Sequence, residues 1–346
     1  MLSLSAVSRA WSGVTFDLGL DLGSANLAVF SQGRSLVYPA CLAVDVRKGA
    51  VVAWGEGARR LEGRVPPFIE VVYPIQAGAP ADFDLCEELL SRLFASLGIS
   101  RPRLLVGVGW ELTEVECKAL EQVARQAGAR SLQLLPGPLV AACGGDLPVL
   151  EAGASMLVEL GAGRCQATVC CMGSVLVREV VRSGGRDLDR RLADHFRRVH
   201  GLLVGPRTAE EAKILAASAS PELRGRSYLA RGQDLESGLP RGMEVFSEDL
   251  TPVLRPYLRQ LEELIRRALE ATPDELAAQL SQGGVALAGG ASLLDGLEQY
   301  LGRRLGLPFR LLERPARAFC DGLEKLVGDA QAFERIATQQ LVRMAG

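Results

Sequence analysis

The sequence predicts an α/β protein built as two lobes, and three observations support that prediction. At 346 residues the chain exceeds the length at which one hydrophobic core usually stops growing. Apolar strand-like runs alternate with segments of helical spacing. A hairpin of two strands around a polar, glycine-containing turn occurs at 16–30 and again at 155–173. Its return in a similar setting indicates a duplicated architecture.

The first half of the chain predicts strands and helices in one lobe. Beyond the hairpin, strand-like runs stand at 36–44, 51–56 and 103–110. Apolar residues at helical spacing predict a helix over 83–97. Thr113 and Glu116 have the spacing of a capping box, so a second helix is predicted over 113–127.

The second half repeats this plan. The runs SMLVELGAG (155–163), CQATVCCMG (165–173) and VLVREVVR (175–182) predict three strands around a glycine-rich turn. Helical spacing follows at 186–200 and 253–270. VALAGGASLL (285–294) predicts a last strand that ends in another glycine turn.

Composition places the chain among globular proteins. Hydrophobic residues make up 48% and charged residues 23%, which excludes a largely disordered chain. The 41 acidic and 39 basic residues nearly cancel, so nucleic acid is not an expected partner. No apolar run reaches the roughly 20 residues that cross a bilayer, so no membrane span is expected.

The first 13 residues have two open interpretations. Leu2, Leu4, Val7 and Trp11 surround a single Arg9, without the long apolar stretch of a secretory signal. One interpretation is a frayed terminus, and the other is a short interfacial helix with its tryptophan at the level of the lipid headgroups. A single cation supplies little attraction to lipid, which favours the frayed terminus.

Cysteine and histidine spacing predicts neither a disulfide scaffold nor a metal site. The eight cysteines are scattered without paired metal spacing, and Cys170 and Cys171 lie side by side in an apolar run. Reduced packing residues are therefore expected. His195 and His200 have no cysteine or second histidine at ligand spacing.

Three glycine turns are candidate nucleotide contacts. DLGSAN (21–26) and ELGAG (159–163) each place a carboxylate, Asp21 or Glu159, before the turn. Backbone N–H groups in such turns bind phosphate oxygens, and glycine permits the close approach. The carboxylates are suited to orient a hydrated Mg²⁺, which prefers to keep several waters. The third turn, at 288–292, is suited to lie under an adenine.

Five segments, in this order, resemble the signature segments of the MreB family of bacterial actin-like proteins. They are DLGSAN, ELGAG, RSGGRDLD (182–189), TAEEAK (208–213) and LAGGASLL (287–294). The flanking text at 73–83, 127–135 and 231–242 is similar to that family as well. The resemblance runs from about residue 14 almost to the end of the chain, and the combined set is far more specific than a lone glycine loop.

The resemblance implies an actin-like fold of two lobes, each with an RNase-H-like core and a smaller subdomain, and a nucleotide cleft between them. Lobe I would comprise 14–145 and 320–346, with its small subdomain at about 34–74. Lobe II would comprise 146–319, with its small subdomain at about 186–242. The implied cofactors are ATP or ADP with Mg²⁺.

The resemblance also assigns site residues. Asp21 and Glu159 would face the metal through water. The residues that would touch the nucleotide are Ser24, Ala25, Asn26, Gly161, Ala162, Gly163, Arg164, Gly185, Glu210, Lys213, Gly289, Gly290, Ala291, Ser292 and Leu293. Within this set the first two turns would hold phosphates, and the remaining residues would bracket the nucleoside.

The second phosphate turn departs from the family pattern at three positions. Glu159 stands where the family has Asp, which keeps the charge and shifts the metal or its water by about a bond length. Ala162 lies within the family's Gly-Gly-Gly-Thr, and its Cβ narrows the approach to the backbone. Arg164 stands in place of the Thr and can supply a charged donor.

Gly137 is the departure with the largest predicted effect on chemistry. Within 134–144 the family carries a Glu just before its Pro, and that Glu orients the attacking water. Glycine neither aligns water nor accepts a proton, and loss of a positioned base costs on the order of 10²- to 10⁴-fold in rate. Hydrolysis is expected to be slow or absent unless Glu159 or another neighbour compensates.

The resemblance implies a filament-forming cytoskeletal protein whose main partner is itself. Its expected location is the cytoplasm and, if residues 1–13 bind lipid, the inner face of the membrane, with cell-shape or other membrane proteins as further partners. A second hypothesis is a non-polymerising actin-fold adaptor of the pilus-assembly or division type. A small-molecule kinase is disfavoured, because no Asp is placed as a base facing a second substrate.

Overall fold

In a computed structural model, residues 16–220 and 225–345 are described, and they form two lobes of strands and helices. The first lobe, lobe I, contains in chain order β1 (Leu18–Leu22), β2 (Asn26–Ser31), β3 (Arg34–Pro39), β4 (Leu42–Asp45), β5 (Ala50–Trp54), α1 (Gly55–Leu61), β6 (Ile69–Val72), β7 (Ile75–Gln76), β8 (Ala79–Pro80), α2 (Phe83–Ser96), β9 (Arg103–Val108), α3 (Glu114–Gln126), β10 (Ser131–Pro136) and α4 (Gly137–Gly144).

The rest of the chain begins with the second lobe, lobe II. Its elements are β11 (Ser155–Leu160), β12 (Cys165–Cys171), β13 (Ser174–Val181), α5 (Gly185–His200), β14 (Leu202–Leu203), α6 (Pro206–Leu215), β15 (Ser227–Asp234), β16 (Pro240–Phe246), α7 (Ser247–Glu270), α8 (Asp274–Gly283), β17 (Val285–Ala288), α9 (Leu297–Leu305) and β18 (Phe309–Leu311). Two further helices, α10 (Ala318–Val327) and α11 (Ala330–Ala345), end the described chain. Short 3-10 turns lie at Gly290–Leu293 and Pro315–Arg317.

Each lobe is built on a five-stranded sheet, and the two sheets have the same plan. In lobe I the order is β10-β9-β1-β2-β3, and in lobe II it is β13-β12-β11-β17-β18. In both, the first three strands along the chain pair antiparallel, and two later strands pair in parallel at the other edge. This common order is what the repeated hairpin predicted.

Each lobe also carries a three-stranded antiparallel sheet. In lobe I, β4 pairs with β5 and β6, and α1 follows directly from β5. In lobe II, β15 pairs with β14 and β16, and α5 and α6 precede it in the chain. These smaller sheets stand beside the five-stranded sheets that supply the glycine turns.

A shared apolar core joins the lobes. Two of the buried clusters belong to single lobes. A third cluster combines side chains from both large sheets, such as Leu105 and Leu157, with side chains of α4 and α10, such as Leu139 and Phe319. Burial of such side chains stabilises by roughly 1.5 to 3 kcal/mol each, so this shared cluster opposes separation of the lobes.

Helices α4 and α10 pack in close backbone contact, which two glycines make possible. A Cβ placed on Gly322 would lie 1.8 Å from the carbonyl oxygen of Val140. A Cβ placed on Gly144 would lie 2.0 Å from the carbonyl oxygen of Ala318. Helix α10 therefore fixes α4, whose first residue is Gly137.

Most predicted elements are confirmed, with differences at helix boundaries. The capping box is present: the Glu116 N–H donates to Thr113 Oγ1 at 3.2 Å, and the Thr113 N–H donates to Glu116 Oε2 at 2.7 Å. The helix predicted at 253–270 instead begins at Ser247. Asp249 caps this start by accepting the Phe246 N–H at 2.9 Å, and the helix continues through two prolines.

Three sequence expectations remain to be placed. None of the eight cysteines is in a disulfide, and six of them are buried, as expected of packing residues. Within the described ranges, no helix combines the length and the apolar character that a membrane span requires. The segment 1–13, predicted to be frayed or interfacial, lies outside the described residues.

Candidate functional site

Asp21 and Glu159 occupy equivalent positions in the two large sheets. Asp21 lies beside Gly107 of the parallel neighbour β9, and Glu159 lies beside Ala288 of the parallel neighbour β17. Each is the last residue but one of its strand, so the predicted phosphate-binding turn follows at once. The repeated fold thus brings the two predicted carboxylates to the same edge of the cleft.

Burial controls the charge of these two carboxyl groups. It raises the pKa of Glu159 to about 7, against the lowering effect of the Arg164 guanidinium, and the charge of Asp21 raises the same pKa further. Burial also raises the pKa of Asp21, again opposed by Arg164. The side-chain amide of Gln166 donates to Glu159 Oε2. The pair therefore favours a cation or a proton as a companion.

The first two glycine turns touch each other across the cleft. Ser24 is buried, and its Oγ accepts the N–H of Ala77 at 2.9 Å. A Cβ placed on Gly163 would lie 2.4 Å from Ser24 Oγ, so only glycine fits there without a shift of the serine. Of the other residues in the first turn, Ala25 is half-buried and Asn26 is exposed.

The start of α5 rests on the second turn. The N–H groups of Gly185 and Arg186 donate to the carbonyl oxygens of Gly161 and Ala162 at 3.0 and 2.9 Å. A Cβ placed on Gly184 would lie 2.4 Å from the Gly161 oxygen. The RSGGRDLD segment is therefore adjacent to ELGAG because its glycines allow a close backbone approach.

The third turn joins the same group of segments. A Cβ placed on Gly289, where φ is +85°, would lie 2.3 Å from the carbonyl oxygen of Leu160. A Cβ placed on Gly185 would lie 3.4 Å from Lys213 Nζ and 3.5 Å from the Ala291 Cβ. Residues from four of the predicted segments thus meet at one place.

Other residues of the third turn either bond within the turn or face solvent. The buried Ser292 hydroxyl donates to the Gly289 carbonyl at 2.6 Å and closes the turn itself. Gly290 is exposed, and so is Leu293. Ser292, Gly290 and Leu293 therefore offer the cleft backbone groups and no free polar side chain.

Glu210 and Lys213 are both held in ion pairs. Lys213 Nζ lies 2.8 Å from Asp189 Oδ1 and also donates to the Gly185 carbonyl at 3.3 Å. Glu210 Oε2 accepts from Arg59 Nη2 at 2.7 Å, and Arg59 belongs to α1 of lobe I. The second pair joins α1 of lobe I to α6 of lobe II, the helices that accompany the small sheets.

The most buried bridge between the lobes joins Arg164 to Glu111. The Arg164 guanidinium donates to Glu111 Oε1, and the two side chains are only 18% and 10% exposed. A Cβ placed on Gly109 would lie 2.1 Å from Arg164 Nη1, and one on Gly78 would lie 3.2 Å from it. Two glycines of lobe I therefore make room for an arginine of lobe II.

Two more arginines of lobe II reach lobe I. Arg186 Nη1 donates to the Ser24 carbonyl at 3.1 Å, and its guanidinium carbon lies 3.5 Å from the centre of the Tyr73 ring. Arg182 Nη2 lies 3.3 Å from Glu116 Oε1. Sequence reasoning missed Glu111, Tyr73 and these bridges, because no local pattern shows which partner a distant arginine finds. Arg164 itself, as a departure from the family turn, was the one available signal.

Gly137 is buried at the first position of α4. A Cβ there would lie 3.2 Å from the oxygen and 3.4 Å from the nitrogen of Val108, the last residue of β9. A side chain at this position is thus feasible after a small adjustment. As the sequence stands, this position provides no acceptor to the cleft.

The residues present fit a hydrated cation and phosphate. Carboxylate oxygens are the ligands that Mg²⁺ prefers, and Asp21 and Glu159 supply two such groups. Within the described chain no three acidic, His or Cys side chains come together at one point, so the cation would keep several of its waters. Glu111 Oε2 and Gln166 Oε1 are buried and have no hydrogen-bond partner among the described residues. Waters on a cation can donate to such acceptors, because buried polar atoms rarely stay unpaired.

Substitution Glu159→Gln should stabilise the protein more at pH 8 than at pH 5. A carboxyl group whose folded-state pKa is raised contributes stability that is present below about pH 4.5 and is lost as the pH rises through about 7. From pH 5 to pH 8 the free energy of unfolding of Glu159→Gln, relative to the wild type, should rise by about 2 to 3 kcal/mol, since one pKa unit corresponds to about 1.4 kcal/mol. Denaturant unfolding at both pH values measures it.

Glu263→Gln on α7 is the matched control, because it makes the same substitution at an exposed position. The effect of Glu263→Gln should change much less between the two pH values than that of Glu159→Gln. An effect of Glu159→Gln that is equally independent of pH would contradict the electrostatic description of the site.

Similarity to known proteins covers almost the whole chain. The family model described as MreB/Mbl protein matches residues 15–335. The cell shape-determining protein Mbl of Bacillus subtilis is 34% identical over 305 residues, which are 86% of this chain and 92% of that protein. The cell shape-determining protein MreB of Escherichia coli is 33% identical over 317 residues, which are 88% and 91% of the two chains.

Solved structures agree with the predicted actin-like fold. MreB5 of Spiroplasma citri bound to AMPPNP matches with a TM-score of 0.86 at 24% identity, covering 91% of this chain and 98% of that one. The MamK double helical filament matches with a TM-score of 0.75 at 18% identity, covering 91% and 99%. On the evidence of the family match and of relatives above 30% identity, this chain belongs to the MreB/Mbl family.

Proposed function

We propose that this chain is a nucleotide-binding cytoskeletal protein that polymerises into filaments in the cytoplasm. The observation that carries the proposal is the meeting of three glycine turns with Asp21 and Glu159 at one edge between the lobes. Two comparisons support it: a solved structure of the same fold holds AMPPNP, and another is a double helical filament.

The proposed roles follow the placement of the residues. Backbone groups of Ser24–Asn26 and of 161–163 hold the phosphates of ATP or ADP, and Lys213 with the turn at 289–293 lies beside the nucleoside. Glu210 keeps lobe I near this end of the cleft through its pair with Arg59. Mg²⁺, when bound, neutralises phosphate charge, and Asp21 with Glu159 orients its waters.

The proposed lobe boundaries are 14–145 with 320–346, and 146–319. The return of the chain to lobe I at 320–346 is supported by a close contact of α10 with β1, because a Cβ on Gly19 would lie 2.2 Å from Leu323 Cδ1. The small subdomain of lobe I is kept at about 34–74, which includes β4 to β6. That of lobe II, set at about 186–242, extends to Phe246, where β16 ends.

Polymerisation is the property that tests the proposal. Purified protein should sediment as filaments with ATP, through a head-to-tail contact that does not close into a ring. Sedimentation and electron microscopy with ATP, with ADP and without nucleotide measure this. A monomer in all three states and at all salt concentrations would contradict filament formation, and it would support the adaptor hypothesis instead.

ATP hydrolysis should be slow, because position 137 provides no acceptor for the attacking water. Gly137→Glu should raise the rate of phosphate release by at least about tenfold, given that positioned acid–base groups contribute 10²- to 10⁴-fold. Gly137→Ala is the control for the added Cβ, which lies only 3.2 Å from the Val108 oxygen. Equal or higher release by the wild type, at concentrations where both polymerise, would refute impaired chemistry.

A further inference from the structure

We propose that Glu111 is the residue that orients the attacking water for the slow hydrolysis that remains, in place of a carboxylate at position 137. The inference rests on the proposed nucleotide binding and adds a catalytic residue to it. Neither the glycine turns nor the predicted site residues include Glu111. Three features support this role: a free acceptor oxygen, the segments that hold it, and the contacts of positions 137 and 111 at the end of β9.

The Glu111 carboxylate has one occupied oxygen and one free oxygen. Oε1 accepts from the Arg164 guanidinium, which fixes the orientation of the group. The side chain is only 10% exposed, and its Oε2 is buried without a hydrogen-bond partner among the described residues. A buried charged oxygen without a donor is costly, so a water that donates to it is favoured.

The free oxygen belongs to the phosphate end of the cleft. Arg164, its anchor, directly follows the second phosphate turn, whose Gly163 reaches Ser24 of the first turn. Gly78, which follows Ala77 in the turn bound to Ser24, lies under the same guanidinium. A water on Glu111 Oε2 would therefore lie among the segments proposed to hold the phosphates.

Position 137 and Glu111 lie against two consecutive residues at the end of β9, Val108 and Gly109. A Cβ at Gly137 would contact the backbone of Val108 at 3.2 and 3.4 Å. A Cβ on the next residue, Gly109, would lie 2.3 Å from Glu111 Oε2. The carboxylate absent from α4 is thus replaced by one that reaches the same end of β9 from the following loop.

The chemical step needs alignment more than a strong base. The lone pair of water attacks the γ-phosphorus, the bond from that phosphorus to the β–γ bridging oxygen breaks, and its electron pair leaves with ADP. The proton lost by the water ends on the released phosphate, and nothing is oxidised or reduced. Glu111 Oε2 accepts one hydrogen bond from the water, which sets its lone pair towards phosphorus.

A rescue experiment separates this role from a structural one. Phosphate release at saturating ATP is measured for the wild type, Glu111→Ala, Gly137→Glu and the double variant. Nucleotide binding is measured for each variant by the shift in melting temperature. Arg182→Ala is the matched control, because it breaks another bridge between the lobes, one whose arginine is 58% exposed and which does not involve Glu111.

Glu111→Ala should lower kcat at saturating ATP by at least about tenfold, and its nucleotide-induced shift should be smaller than that of the wild type but not lost, because the variant also loses the ion pair with Arg164. Gly137→Glu should restore the rate in the Glu111→Ala background, and Arg182→Ala should stay within about twofold of the wild type. An unchanged rate in Glu111→Ala overturns the proposal. So does a lost rate that Gly137→Glu fails to restore in a double variant that still binds nucleotide. Absence of any nucleotide-induced shift in the wild type instead refutes nucleotide binding itself.

Discussion

The ion pair between Arg164 and Glu111 is the constraint on which the geometry of the cleft depends. It is buried, it joins the lobes, and it stands directly after a phosphate turn. Charges in such a place are tolerated only when they are paired, since removal of one partner leaves an uncompensated buried charge. The relative position of the lobes at this end of the cleft is therefore tied to the second phosphate turn.

The remaining contacts between the lobes are an apolar core and ion pairs that are more exposed. The apolar core beneath the cleft, with α4 and α10, joins the lobes through packing. Packing alone sets the angle between the lobes there. The bridge from Arg59 to Glu210 lies at the small sheets, and its side chains are about 30% exposed. Exposed pairs contribute little stability each, so these bridges refine an arrangement that the core and the buried pair establish.

The sequence predicted the elements whose cause is local. The hairpins at β1–β2 and β11–β12, the capping box of α3 and the glycine turns all follow from neighbouring residues, and the structure has them. Helix α7 was predicted too short. Its two prolines indicate against a helix in this region, whereas the cap at Asp249 starts the helix before them. The roles of the site residues remain predictions.

Contacts between distant segments could not be predicted in the same way. Glu111 lies in a loop with no motif, and its pairing with Arg164 depends on the angle between two lobes. The room for that pair comes from the missing side chains of Gly78 and Gly109, which a sequence shows only as ordinary turn residues. Local rules therefore found the turns and missed the bridge between them.

A double-mutant cycle on the free energy of unfolding tests most directly whether the Arg164–Glu111 pair couples the lobes. Glu111→Ala and Arg164→Ala should each cost about 3 kcal/mol or more, as expected when a buried pair loses one partner. The double variant should lose less than the sum of the two, by about 2 kcal/mol, because the partners are in contact. Losses that add to within about 0.5 kcal/mol would show that the pair does not couple the lobes.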